Sequence, residues 1–156
     1  MISIDIPGFG RLAIDHLVLD YNGTLALDGV LVPGVGDLLN SLARELTVHV
    51  VTADTFGKAA AGLSGTDCRL TILDSGHQDQ AKVEFVSQLG AEQTASIGNG
   101  RNDALMLEKS ALGIAVILGE GASAESVNAA DIVCTDICAA LELLMHPLRL
   151  TATLRS

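Results

Sequence analysis

The sequence has no tryptophan, one tyrosine and only three phenylalanines. Nearly half of its residues are nonetheless apolar, mostly small aliphatics. That balance favours a parallel sheet packed between helices over a β-sandwich or a lectin-like aromatic surface. Positive charge is scarce as well. Nine Lys and Arg stand against 19 Asp and Glu, giving a net charge of −10. Nucleic acid is therefore not expected as a partner, because phosphate backbones are neutralised by basic side chains. An acidic chain that handles anions must build a local positive site instead, usually from a metal, a lysine and helix N-termini. There are three cysteines, Cys68, Cys134 and Cys138. Cys134 and Cys138 lack a second Cys or His pair for a metal, so the expectation is core packing in a reducing, cytoplasmic compartment. No apolar run approaches the roughly 18 residues of a membrane span. No basic start followed by an apolar core marks a signal peptide. The four histidines, His16, His49, His77 and His146, are too scattered to form a metal-ligand pattern.

With 156 residues and no linker, repeat or low-complexity segment, the chain reads as one domain with a substantial core. Its main body runs over residues 12–145, preceded by an edge strand within 1–6 and followed by an unassigned tail, 146–156. "ISIDI" alternates apolar and polar residues like a half-exposed strand, closed by Pro7-Gly8. "LAIDHLVLD" becomes continuously apolar toward its end, as a central strand does. Val35, Leu38, Leu39, Leu42 and Leu46 recur at helical spacing. Strands are expected at "TVHVVTAD", "CRLTIL", "TASIGN", "LGIAVIL" and "ADIVCT". Helices are expected at "DTFGKAAAGL", "QAKVEFVSQLG" (closed by Gly90), "NDALMLEKSA", after Ser123, and over Ile137–Leu144. Strand and helix alternate throughout. The predicted fold is a doubly wound, Rossmann-like α/β sandwich of three layers around a mostly parallel sheet.

In such sheets ligands bind beyond the carboxyl ends of the strands. The first core strand ends in Asp20 and continues "YNGT". The second ends in Thr52-Ala53-Asp54. A later strand ends in "GNGRND", Gly98 to Asp103, and Lys82 opens a helix between them. A carboxylate, a hydroxyl, a lysine, a glycine-rich turn and a second carboxylate thus converge on one sheet edge. That is the inventory for moving a phosphoryl group: a nucleophile, positive charge, backbone donors and a place for magnesium. "LGEGASAES", Leu118 to Ser126, is also glycine-rich and precedes a helix, but reads as a plain strand-to-helix loop. Arg149 and Arg155 read as surface charges.

"LVLDYNGT", "VVTAD", Lys82 and "IGNGRNDALML", in this order, resemble the haloacid-dehalogenase superfamily of phosphohydrolases. The similarity is strongest to the phosphorylation domain of P-type ATPases and to soluble phosphatases that look like it. The resemblance implies that Asp20 is a nucleophile forming an aspartyl-phosphate. It implies that Asn22, Gly23 and Thr24 hold phosphate, with the Asn22 carbonyl on Mg²⁺. Thr52 and the Ala53 amide would bond the transferring group, and Lys82 would neutralise it. Asn99 and Asp103 would face the metal together with Asp20, and Asn102 the phosphate.

Two departures from the family pattern stand out. Asn22 replaces the aspartate that protonates the leaving oxygen and activates water, and an amide does neither. Acid–base help is worth about 10²–10⁴-fold in rate, so slow turnover is expected. Asn99 replaces an aspartate on magnesium; Asp54 or Asp103 is the expected compensation. A degenerate switch or binding module, keeping phosphate and metal recognition without turnover, is the alternative function. A receiver domain is disfavoured because Gly23-Thr24 directly follow Asp20. A dinucleotide site is disfavoured because Gly-x-Gly-x-x-Gly is missing after the first strand. Only a small flap fits between Thr24 and Pro33, so there is no cap domain. The phosphorylated substrate is then large, or a second subunit of a dimer or tetramer covers the site.

Overall fold

Leu17, Val18 and Leu19 are completely buried, which requires a strand covered on both faces. The computed structural model describes residues 1–156 and makes this strand central. In chain order the elements are β1 (Ile2–Ile6), β2 (Gly10–Ile14), β3 (His16–Leu19), β4 (Ala26–Leu27), β5 (Val30–Leu31), α1 (Val35–Leu42), β6 (Thr47–Thr52), α2 (Ala59–Gly62), β7 (Arg69–Ile72), α3 (Gln78–Leu89), β8 (Thr94–Gly98), α4 (Ala104–Lys109), β9 (Leu112–Val116), α5 (Ala124–Ala129), β10 (Ile132–Cys134), α6 (Ile137–Met145) and α7 (Pro147–Leu154). The main sheet has the order β10-β9-β8-β3-β6-β7, and every pairing in it is parallel. The chain moves outward from β3 through β6 to β7, then returns to the other side of β3 with β8. The order therefore reverses between β3 and β8, the place where such folds open a crevice.

Alternate β3 residues serve different cores. Leu17 and Leu19 join the larger one, with Leu39 of α1 and Leu141 of α6. Val18 joins a smaller one, with Val86 of α3 and Met106 and Leu107 of α4. These are the three layers expected from sequence. The helix α1 buries Val35, Leu39 and Leu42 on one stripe. Gly90, at φ +99°, closes α3. Ser123 caps α5 by accepting the Glu125 amide at 3.3 Å. Cys68, Cys134 and Cys138 pack against the larger core. No single helix is long and apolar enough to cross a membrane.

Two expectations need correction, and the unassigned tail has a structure of its own. The N-terminal strand is not an edge of the main sheet: β1 pairs only with β2, as an antiparallel hairpin in register Ile2↔Ile14 to Ile6↔Gly10. "LAIDHLVL" is accordingly two strands in two sheets. The break is Asp15, whose amide donates to the Gln93 carbonyl at 2.9 Å while its own carbonyl accepts from Thr47 at 2.9 Å. Both backbone groups of Asp15 are taken on the main-sheet side, by Gln93 just before β8 and by Thr47 of β6, which releases the preceding residues to pair with β1. The tail is helical. Pro147 begins α7, where its missing N–H costs nothing, and Leu150 is buried against the hairpin side of the core. That burial contributes about 1.5–3 kcal/mol. Between Thr24 and Pro33 the chain makes only the β4–β5 flap.

At the amino ends of the strands His49 is buried. Its Nε2 lies 3.3 Å from His16 Nδ1, and its ring meets Phe85 edge-on at 5.4 Å. Burial, then the nearby His16 and Arg69, push its pKa down to about 4. The unfolded chain, with an ordinary value near 6.5, binds the extra proton first. His49 thus favours folding fully above pH 6.5, and that contribution fades as pH falls toward 4. His49→Leu is expected to flatten the fall in urea midpoint over this window. An unchanged difference between the two proteins from pH 7 to pH 4 would refute the assignment.

Candidate active site

The register of the sheet decides which side chains meet. Leu19 lies opposite Val50 on one side and Ile97 on the other. One residue past Leu19 is Asp20, two past Val50 is Thr52, and two past Ile97 is Asn99. The Asp20 amide continues the ladder by donating to the Ile97 carbonyl at 3.1 Å. The chain then turns sharply, with the Tyr21 carbonyl accepting the amides of Leu25 at 2.9 Å and Ala26 at 3.0 Å. Tyr21 is wholly buried, its hydroxyl donating to the Gly29 carbonyl at 3.1 Å. Gly23 has φ +80°, and a Cβ there would come within 2.8 Å of the Asn99 amide carbon. Both the conformation and the space call for glycine.

Lys82 lies one turn from Val86 on the buried face of α3. A lysine at a core position needs partners, and it has two. Its ammonium is 2.7 Å from Asp20 Oδ1 and 2.6 Å from Asp103 Oδ1. Asp103 is fully buried. Its Oδ2 accepts the amides of Asn99 at 2.9 Å and Gly100 at 2.8 Å. A Cβ on Gly98 would stand 2.5 Å from the Asp103 carboxyl carbon. Gly98 and Gly100 do not have left-handed backbones, so Gly98 is there for space rather than for a sharp exit from the strand.

Burial, then the charge of Asp103, raise the Asp20 pKa to about 6 against the opposing pull of Lys82. Burial alone would lower the Lys82 ammonium. The two carboxylates outweigh it and hold the group above its ordinary value. The triad carries a net charge of −1 when all three groups are ionised.

A cavity of about 220 Å³ opens over Asp20. Asn22, Thr52, Ala53, Asn99 and Asn102 share its wall with Asp20, as the sequence leads one to expect. Gly23, Thr24, Lys82 and Asp103 do not line it and stand behind. Thr24 Oγ1 lies 3.2 Å from Asp20 Oδ2 and 3.1 Å from Asn99 Oδ1; its single proton serves one of them at a time. The sequence puts Asp103 at a metal, whereas in the fold both its oxygens are engaged by Lys82 and by loop amides. Asp54 is away from the cavity. Its Oδ1 accepts the amides of Lys58 and Ala59, both at 2.9 Å, and so caps α2. Thr52 Oγ1 accepts the Asp54 amide at 3.0 Å.

Three lining residues escaped the sequence reading: Thr55, Gln78 and Glu120. Gln78 Oε1 accepts from Asn102 Nδ2 at 2.7 Å, and both side chains also border a neighbouring cavity of about 510 Å³. Asn22 Oδ1 is the one buried side-chain polar atom with no hydrogen-bond partner. Nor does any hydrogen bond end on the Asn22 carbonyl. A buried unpaired amide oxygen and an unbonded carbonyl beside an acidic triad make an oxygen-rich donor set of the kind that hard divalent cations take.

No family model matches the chain. An uncharacterized protein of Methanocaldococcus jannaschii is 42% identical over 84 residues, which cover 51% of this chain and 90% of that protein. Among solved structures, 3-deoxy-D-manno-octulosonate 8-phosphate phosphatase of Moraxella catarrhalis, in complex with magnesium, phosphate and the sugar acid, superposes with a TM-score of 0.68 at 17% identity, over 89% of this chain and 90% of that one. The cobalt-bound phosphatase of Haemophilus influenzae gives 0.67 at 18% identity, over 92% and 94%. The catalytic domain of the CPx-ATPase CopB-B gives 0.60 at 26% identity, over 74% of this chain and 46% of that one. The fold is thus that of phosphatases with a doubly wound sheet. The chain belongs to one family with the archaeal protein, and its fold is the one those phosphatases share.

Lys82→Met leaves two carboxylates facing each other in the interior. A loss of about 3–5 kcal/mol is expected at pH 7, read from urea unfolding. Part of it returns as pH falls, because protonation relieves the repulsion. A variant as stable as the parent at pH 7 would show that the ammonium is not what holds the triad.

Proposed function

We propose that the chain is a divalent-metal-dependent phosphohydrolase working through Asp20. The observation that carries this reading is the Asp20–Lys82–Asp103 triad, whose first carboxylate lines the cavity while the other two groups stand behind it. One Asp20 oxygen is tied to Lys82, which fixes the carboxylate for attack. Attack of the carboxylate on phosphorus forms an aspartyl-phosphate and releases the substrate's oxygen. Water then cleaves the acyl phosphate, giving inorganic phosphate and free Asp20. Thr52, the Ala53 amide and the Asn102 side chain are placed to bond the phosphoryl oxygens, and Lys82 offsets their charge. Asp20, the Asn22 carbonyl and Asn99 Oδ1 would hold a cation, with Mg²⁺ suiting an all-oxygen set. When bound, such an ion offsets the repulsion between the phosphoryl group and the attacking carboxylate. Asp103 acts through Lys82 and the loop amides. The larger cavity beside Gln78 and Asn102 gives the leaving group room.

Asn22 limits the rate. It cannot protonate a leaving oxygen, so esters with acidic leaving groups are favoured over alkyl phosphates. The same amide also supports a second reading, a phosphoryl-dependent switch with little turnover. The β4–β5 flap exposes Leu27 and Val30, and self-association through such a flap remains part of the proposal.

Hydrolysis of an aryl phosphate separates the readings. Turnover should require Mg²⁺, stop with a chelator, and fall to background in Asp20→Asn. Turnover indifferent to Asp20 would sink the phosphatase. Asn22→Asp should speed alkyl phosphate hydrolysis by about 10-fold or more, toward the lower range of acid–base assistance, and aryl phosphate hydrolysis less. Equal acceleration of both esters would remove the role given to Asn22.

A further inference from the structure

Residue 99 is an amide where the superfamily motif has a metal-facing carboxylate, and neither Asp54 nor Asp103 lines the cavity to replace it. The cavity wall contains only two ionisable side chains, Asp20 and Glu120. Glu120 belongs to the glycine-rich loop between β9 and α5, at the cavity rim, and is exposed. The loop is held in place. The Gly121 amide donates to the Leu118 carbonyl at 2.9 Å, closing a tight turn around Glu120. Gly121 itself has φ +75°.

The tie to the catalytic side of the sheet is Asn99. Its Nδ2 donates to the Gly121 carbonyl at 3.0 Å, and its backbone carbonyl accepts the Ser123 amide at 2.8 Å. An aspartate at position 99 would set a carboxylate oxygen against the Gly121 carbonyl oxygen, two acceptors with no proton between them. The loop could not then keep this position. The substitution that removes a charge from position 99 is therefore the one that docks the neighbouring loop, and that loop brings a carboxylate to the same cavity.

We propose that Glu120 is the second carboxylate on the divalent cation of this site and that Asn99 is its positioning residue. The inference rests on the metal-dependent reading above. Its chemistry is simple: an amide oxygen neutralises no charge, so a hard dication gains most from a second anionic oxygen. The bland alternative is a solvated rim carboxylate that only adds to the negative field.

Direct Mg²⁺ titration by calorimetry, with Mn²⁺ bound-fraction by electron paramagnetic resonance as a second readout, tests this without any turnover. Glu120→Gln, an exposed change that leaves the fold intact, is expected to weaken both ions at least about 10-fold. Glu125→Gln controls for lost negative charge on a neighbouring rim, since Glu125 pairs with Arg101 at 3.0 Å; it should leave affinity unchanged. Adding Asn99→Asp to Glu120→Gln returns a carboxylate to the wall and should recover most of the loss. Equal affinity in Glu120→Gln and parent, an equal loss in Glu125→Gln, or no recovery in the double variant would each overturn the assignment. A parent chain that binds neither ion would overturn it together with the metal-dependent reading. Intact binding without Asp20-dependent turnover would defeat the phosphatase alone.

Discussion

The buried ammonium of Lys82 between Asp20 and Asp103 is the constraint on which the rest depends. A lysine without partners in the interior would deprotonate or pull the helix open. Two carboxylates without a cation would repel each other or take up protons. The ammonium is tolerable because both carboxylates lie within 2.7 Å of it, and the carboxylates because it stands between them. The arrangement also joins three chain segments far apart in sequence: the end of β3, the second turn of α3 and the turn after β8. Breaking one partner of such a cluster costs far more than forming it gains. The triad is thus a device for position rather than a source of net stability, and position is what the attack proposed for Asp20 needs.

The sheet makes this economical. Because β3 is flanked by β6 and β8, all parallel, the three strands present their carboxyl ends side by side. Loops on either side of the reversal in strand order turn away from each other, leaving a crevice between them. Every residue in the wall comes from one of those strand ends and loops or from the adjoining β9–α5 loop, except Gln78, which opens α3. The glycines follow from crowding. Gly23 and Gly98 are where Asn99 and Asp103 leave no room for a Cβ.

Asn22 and Asn99 look alike as departures from the family pattern, yet their surroundings differ. Asn22 Oδ1 is unpaired; the amide there removes an acid and leaves an oxygen uncommitted. Asn99 is engaged at both ends of its amide, with Thr24 in reach of its oxygen and Gly121 on its nitrogen. In the proposed mechanism the first substitution bears on how fast a bond to phosphorus is broken. The second bears on how a loop is held against the sheet. A carboxylate would serve at position 22 without structural conflict, whereas at position 99 it would meet a carbonyl.

Local pattern in the sequence was enough for the alternation of strands and helices, the parallel sheet, the end of α3 at Gly90, the cap at Ser123 and the gathering of Asp20, Thr52 and Asn99 at one edge. Those features depend on periodicity and on residues a few positions apart, which a sequence displays directly. It also marked Lys82, through its place in order between the other motifs. Tertiary structure alone decided the rest. Asp15 splits one apparent strand into two because its backbone groups pair with Gln93 and Thr47, which no local pattern reveals. The tail becomes α7 because the hairpin offers Leu150 a surface. Asp103 turns to Lys82, and Asp54 to the start of α2, because carboxylates take whatever donors the fold brings within 3 Å. Glu120 reaches the cavity through a contact between residues 22 positions apart. Contacts of that separation are set by how elements pack, and a linear pattern of apolar and polar residues does not encode which loop lies against which.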